Sequence, residues 1–186
     1  YSGDADAASG EGFQFGWRAV DSGQMSSLRL AAPQSGTDEA RGITEQAIMK
    51  LTSLPVVFPE DAIGRGAKWT VESRVAGEST LLQTTTYTVK ELAGDVVKLD
   101  VSVQQRPSLG ALSFEGQAEG TDLANKELKV LSSTTDSKGE LTVDLKQPLP
   151  TDGDVSIATK IIYGTEDSDL RVVHSTTTDL QFNPAE

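Results

Sequence analysis

The sequence predicts a mostly β fold of the α+β class: a curved antiparallel sheet or half-barrel of about ten strands with one covering helix. Three observations predict it. Apolar and polar residues alternate along most of the chain, which is the two-residue period of strands. Short turn signals rich in Gly, Asp and Ser separate these segments, as in an antiparallel meander. Only residues 37–53 have the period of a helix, and a sheet this wide must curl or close.

The chain has 186 residues, which is close to the length of one domain, so a single β domain is predicted over residues 13–186. Residues 1–12 are mostly small and polar, and such a segment cannot bury enough surface to order itself. We therefore expect residues 1–12 to be a flexible N-terminal tether.

A hairpin is predicted at the start of the domain. Residues 13–20 place their large apolar side chains on one side, as a strand does. Asp21-Ser22-Gly23-Gln24 has the composition of a turn, and Met25–Ala31 then supplies the partner strand.

The helix is predicted from Thr37 to Ser53. Thr37 begins a capping sequence, and Ile43, Ala47 and Leu51 follow at helical spacing. The helix ends before Pro55, because proline disfavours helical geometry in the residue ahead of it. Its apolar face is the predicted cover of the sheet.

The rest of the chain is predicted to be almost entirely strand. Turn signals such as Ser137-Lys138-Gly139 and Asp152-Gly153-Asp154 separate the strands. The predicted strands cover residues 67–75, 79–91, 96–105, 111–118, 126–133, 140–146, 155–163 and 170–182.

Two of these strands have an inward face that mixes apolar residues with polar ones. In the strand that contains Leu81, the inward positions include Gln83 and Thr85, and in the last strand they include His174 and Thr176. Such a face suits a ligand cavity lined by small, partly polar side chains. The alternative is that threonine is present only for its high β propensity.

Composition excludes several classes of function. The net charge of −12 makes contact with nucleic acid and anionic lipid surfaces repulsive, so no nucleic-acid partner is expected. The chain has no cysteine, which rules out disulfides and thiolate zinc sites. Aromatic residues make up only 5% of the chain, so either the sheet is thin or its concave side is not fully packed.

No catalytic, metal or cofactor site is predicted. His174 is the only histidine, and no nucleophile-elbow sequence accompanies it, so a structural or pocket-lining role is expected. The acidic turns at 152–154 and 166–169 lack the pattern of a calcium loop, and Gly64–Trp69 lacks that of a phosphate loop. Carboxylate pairs for glycoside hydrolysis stay open, because their spacing is spatial rather than linear.

Residues 58–71, 84–89 and 94–101 resemble a family of actinobacterial cell-envelope proteins, often lipoproteins. They share a proline-acid step, a glycine-alanine-tryptophan strand start and a threonine-rich hairpin, over about residues 40–105. The resemblance extends to LmcA-like lipoglycan carriers and, more loosely, to LolA- and LppX-type half-barrel lipid carriers. It implies a cupped sheet with a hydrophobic cavity outside the cytoplasmic membrane. No cysteine is present for lipid attachment, so any anchor is expected upstream of Tyr1.

The functional hypothesis is therefore a non-enzymatic lipid or lipoglycan carrier of a bacterial cell envelope, with acyl chains held between sheet and helix. We expect a monomer whose partners are a lipid or lipid-linked glycan and membrane-bound envelope proteins. The alternatives are an envelope interaction protein with a filled core and, less favoured, a hydrolase with spatially assembled carboxylates. The predicted cavity wall consists of Trp69, Val71, Leu81, Tyr87, Val89, Leu99, Val101, Leu112, Phe114, Ile157, Ile161, Val172, His174 and Phe182 from the strands, and of Ile43, Ala47, Ile48 and Leu51 from the helix.

Overall fold

The computed structural model of the protein describes residues 11–75, 80–108, 128–147, 149–165, 169 and 171–183. Within these residues the chain forms eight strands and one helix, which confirms the mostly β class. The chain divides into two compact units, Tyr1–Ile63 and Gly64–Glu186. The first unit holds a hairpin and the helix, and the second holds a larger sheet.

The predicted hairpin is confirmed in the first unit. β1 (Gln14–Ala19) pairs antiparallel with β2 (Met25–Ala31), with a register shift between Arg18 and Ala19. Gly23 closes the turn with φ of 88°, and a Cβ there would lie 2.6 Å from the Val56 carbonyl oxygen. Glycine is therefore required at this turn both for its backbone angle and for space.

The predicted helix is confirmed as α1 (Asp38–Leu51). Thr37 is the N-cap, and its side-chain oxygen accepts a hydrogen bond from the Ala40 N–H at 3.1 Å. Such a cap satisfies one of the N–H groups that a helix start leaves without a partner. Ala40 and Ile48 are the buried residues of the helix, as the helical spacing of its apolar residues predicts.

The second unit contains six strands in one antiparallel sheet, in which each strand pairs with its neighbours in the chain. The predicted meander is thereby confirmed. Within the described residues β3 and β8 are the two edges and do not pair with each other, so the sheet is not closed. The strands are β3 (Lys68–Val75), β4 (Leu81–Ala93), β5 (Val96–Pro107), β6 (Lys129–Asp144), β7 (Asp152–Gly164) and β8 (Arg171–Phe182).

The predicted count of about ten strands in one sheet is wrong, because the described residues form eight strands in two sheets. The two strands expected at 126–133 and 140–146 are a single strand, β6. Its residue Gly139 lies opposite Val155 rather than in a turn, and a Cβ at Gly139 would meet the Asp154 carbonyl oxygen at 2.6 Å. This glycine allows two strands to approach, which sequence alone does not distinguish from a turn. The strand expected at 111–118 lies outside the described residues.

The register defines an inner face of the six-stranded sheet, since residues directly opposite each other on neighbouring strands point to the same side. One row of partners crosses all six strands and represents this inner face. It consists of Trp69, Tyr87, Val101, Gly139, Val155 and Leu180. Several residues of this face are fully buried, including Tyr87, Leu99 and Ile161 at 0% exposure.

The sheet bends at β6. The Cα atoms of β5 and β7 come within 8 Å of each other, although β6 lies between them. Strands two apart in a flat sheet are about 9.5 Å apart. The inner sides of β5 and β7 therefore face each other across the bend, which explains why their apolar residues are buried.

Candidate functional site on the inner face of the sheet

The structure places the described strand residues of the predicted cavity wall on this one inner face. Their alternation and register agree along every strand, so the sequence assigned their side correctly. Their role as the wall of a cavity stays a prediction. They are Trp69, Val71, Leu81, Tyr87, Val89, Leu99, Val101, Ile157, Ile161, Val172, His174 and Phe182.

The predicted wall also includes two residues that the structure does not describe and four residues of helix α1. Leu112 and Phe114 lie outside the described residues. The helix residues belong to the other compact unit, where Ile48 is buried and Ile43, Ala47 and Leu51 are half-buried. The helical spacing thus gave the less exposed side of α1 correctly.

A row of polar side chains crosses the inner face, with one residue from each of the six strands. Consecutive members are cross-strand partners, except that Gln105 and Thr135 are joined through the Thr135 hydroxyl. We call this row the polar belt. Its members are Ser73, Gln83, Gln105, Thr135, Thr159 and Thr176.

The middle of the polar belt is a connected hydrogen-bond network. Gln105 Nε2 donates to Gln83 Oε1 at 2.8 Å, and Thr159 Oγ1 donates to Gln105 Oε1 at 2.7 Å. Gln83 is only 2% exposed, and its Nε2 donates to Thr85 Oγ1 at 3.3 Å. Because burying an unpaired amide is costly, this network fixes Gln83 and Gln105 in place and ties three strands together.

Hydroxyl groups replace backbone partners where β5 meets the first half of β6. The backbone register of the two strands ends at Val101 and Gly139, although both strands continue. Ser137 Oγ accepts from the Val103 N–H at 2.7 Å and donates to its carbonyl at 2.9 Å. Thr135 Oγ1 bonds the Gln105 N–H at 3.0 Å and its carbonyl at 3.2 Å, which Ser133 Oγ also reaches at 3.2 Å. We call this hydroxyl-bridged stretch the β5–β6 seam.

The polar belt separates two apolar regions of the inner face. On one side, Trp69 and Tyr87 pack with ring centroids 5.5 Å apart, and burial raises the pKa of Tyr87 well above its usual value. On the other side lies a buried cluster of Leu81, Leu128, Ile161 and Tyr163, with Val172 packed against it. Burial also raises the pKa of Tyr163. Both tyrosines are therefore neutral at physiological pH.

One hydroxyl of the belt is buried without a partner. Ser73 Oγ, on the edge strand β3, forms no hydrogen bond in the structure. A buried hydroxyl without a partner costs free energy, so it is an available donor or acceptor for a polar group that reaches this end of the belt.

His174 lies on β8 opposite Ile161 and is half-buried. Its Nε2 and Thr176 Oγ1 are 3.0 Å apart. Among the described residues no carboxylate hydrogen-bonds to the ring, so the arrangement contains no acid that would orient a catalytic base.

The outer face contains the clearest pair of carboxylates. Asp100 and Glu140 are cross-strand partners on β5 and β6, and Lys90 bonds to both, with its Nζ 3.2 Å from Asp100 Oδ1. The hydrogen bond with Glu140 raises the pKa of Lys90, and the same bond lowers the pKa of Glu140. All three side chains are exposed. This geometry is that of a solvated ion-pair cluster on the sheet surface rather than an acid and a base held apart by environment.

Sequence reasoning missed the belt residues on β3, β5, β6 and β7. The available signal was their position: Gln105 continues the inward series of Val101 and Val103, and Thr159 falls between Ile157 and Ile161. The hydroxyls of β6 had no such signal, because the expected turn at 137–139 divided the strand.

No protein-family model matches the chain, and neither a curated protein nor a solved structure matches it. The resemblance to actinobacterial envelope proteins is neither supported nor refuted and stays a prediction. Across the described residues, no group of His, Asp or Glu side chains is arranged to hold a metal ion. The described helix is too short and too polar to cross a membrane.

Proposed function

We propose that the protein is a non-enzymatic carrier of a lipid or lipid-linked glycan, working outside the cytoplasmic membrane in a bacterial cell envelope. One observation carries the proposal: the inner face of an open sheet presents two apolar regions on either side of a belt of hydroxyl and amide groups. Acyl chains would contact the apolar residues, at about 0.8 kcal/mol per buried CH₂. The belt would hydrogen-bond the polar part of the ligand, beginning with the unpartnered Ser73 hydroxyl.

The finer features of the fold belong to the same proposal. A sheet that bends at β6 has the curvature that a half-barrel requires, whereas a cover formed by Ile43, Ala47, Ile48 and Leu51 of helix α1 stays a prediction from the sequence. Ligand would then enter next to the cluster that contains Ile161 and Val172, beyond the belt.

The experiment is lipid extraction and native mass spectrometry of protein purified after exposure to a lipid-rich envelope extract. We expect co-purifying lipid with the wild type. Val172→Trp should block uptake and leave the fold intact, because Val172 is half-buried beside the cluster and an open space tolerates bulk. Val173→Trp is the matched control, since Val173 is its neighbour on the exposed outer face. A wild type that carries no lipid, together with a Val172→Trp chain that unfolds, would overturn the proposal.

A second candidate is an envelope interaction protein with a filled core. The near-complete burial of Tyr87, Leu99 and Ile161 by the chain's own atoms favours it. The mutational cost of shortening Val172 distinguishes the two. In a filled core Val172→Ala should lose the free energy typical of a cavity, whereas in a ligand space the loss should be smaller.

A further inference from the structure

The edge strand β8 leaves a long row of backbone groups without partners. It pairs only with β7 among the described strands. No hydrogen bond to the backbone groups on its other side is present along 172–182 in the described chain. Such an edge is a template for one more strand.

The middle of β8 lacks the features by which natural edge strands avoid pairing. Residues 172–178 contain no Asp, Glu, Lys, Arg, Pro or Gly, and the register with β7 has no bulge. The other edge, β3, carries Lys68, Glu72 and Arg74 within eight residues. Edge charges, prolines and bulges usually prevent an edge strand from pairing with another chain, so β8 is the edge that is more open to a further strand.

The sequence of β8 is complementary to itself in one antiparallel register. If two copies pair about Ser175, Arg171 lies opposite Asp179, and Val173 lies opposite Thr177. Opposite charges in cross-strand positions stabilise such a pair. The register also places inner-face residues opposite inner-face residues, because every opposed pair differs by an even number of positions.

We propose that a second copy of this chain pairs its β8 with β8 of the first, antiparallel and centred on Ser175. Two six-stranded sheets then become one continuous sheet with a twofold axis, and the same surface serves both copies. Nine opposed residues form about eight to ten backbone hydrogen bonds. The proposal differs from the monomer that the sequence predicts, and it does not depend on whether the inner face holds a lipid.

Charge substitution at the twofold axis tests the dimer. Ser175 is exposed, so a lysine there is tolerated by one chain but faces a second lysine across the axis. We expect the wild type to sediment as a dimer over a concentration series, and Ser175→Lys and Ser175→Asp each to sediment as monomers. Mixing these two variants should restore a dimer of one copy of each. Ser156→Lys, on the exposed outer side of β7, is the matched control and should stay dimeric.

Cross-linking tests the register and separates this interface from any other. The chain has no cysteine, so Ser175→Cys introduces one thiol per copy. Opposed residues in antiparallel strands have Cα atoms about 4.5–5.5 Å apart, within the range of a disulfide. Ser175→Cys should form a disulfide-linked dimer under mild oxidation, and Ser156→Cys should not. A monomeric wild type throughout the series, a Ser175→Lys variant that dimerises like the wild type, or equal cross-linking by the two cysteine variants would overturn the proposal.

Discussion

The two halves of the contact between β5 and β6 are held together by different chemistry. Residues 96–101 of β5 pair with residues 139–144 of β6 in an ordinary antiparallel ladder. The inward side chains of this ladder are almost fully buried. Beyond Val101 the backbone register stops, and the hydroxyls of Ser133, Thr135 and Ser137 serve the backbone of β5 instead. Stability of the first half depends on packing, whereas the second half depends on particular polar side chains that any apolar substitution would remove.

The largest effect is expected in the ladder half. Leu99→Ala should lower the free energy of unfolding by about 2–5 kcal/mol, because Leu99 is fully buried and its truncation leaves a cavity. Urea denaturation measures this loss. Leu92→Ala, on β4 at 45% exposure, is the control and should change stability by no more than about 0.5 kcal/mol. Equal losses for the two variants would mean that the ladder half is not closely packed.

An intermediate effect is expected in the seam. Ser137→Ala should lower the free energy of unfolding by about 1–3 kcal/mol, because it leaves the N–H and the carbonyl of Val103 without their hydrogen-bond partner. Hydrogen exchange adds a local measurement: protection of the Val103 amide should fall while that of Leu99 stays. Ser132→Ala, exposed on the same strand, should leave both amides unchanged. If Ser137→Ala leaves the Val103 amide protected, the hydroxyl does not hold the seam.

The smallest effect is expected on the outer face of the ladder half, at Lys90 and Glu140. The hydrogen bond from Lys90 lowers the pKa of Glu140 in the folded chain. Its stabilising contribution is therefore present above the ordinary glutamate pKa of about 4.3 and lost as the pH falls through the folded value. Glu140→Gln should lower the melting temperature slightly at neutral pH, where the contribution is present in the wild type, and the difference should vanish in acid, so that the fall of melting temperature below this pH is flatter. The difference from wild type should shrink in 1 M salt, since exposed charges are screened; a difference that persists there would contradict the ion-pair account.

Local patterns in the sequence predicted the parts of the fold that depend on local chemistry. The boundaries of α1 follow from the Thr37 cap and the spacing of its apolar residues, and the inner face of β5 follows from its alternation. The seam could not be predicted, because it depends on where the sheet bends. Gly139 shows the reason: a glycine needed for the approach of β7 has the same sequence signal as a glycine in a turn.

The candidate site also combines a part that the local sequence predicts with a part that depends on distant strands. The apolar residues of the predicted wall lie on one face because alternation determines their side. The polar belt depends on partners from strands distant in sequence, such as Gln83 and Thr159 on either side of Gln105. Sequence periodicity does not show which residues of distant strands come within hydrogen-bonding distance of each other.

The seam also has a consequence for how the chain folds. It divides the sheet into two groups of three consecutive strands, β3–β5 and β6–β8, joined by the connection between Pro107 and Lys129. Strand pairing within each group begins between residues that are close in sequence, whereas joining the groups pairs residues that are far apart in sequence, and distant pairings cost more entropy before any contact forms. We expect each group to assemble early and the hydroxyls of β6 to engage β5 last, so that Ser137→Ala speeds unfolding and leaves the refolding rate nearly unchanged.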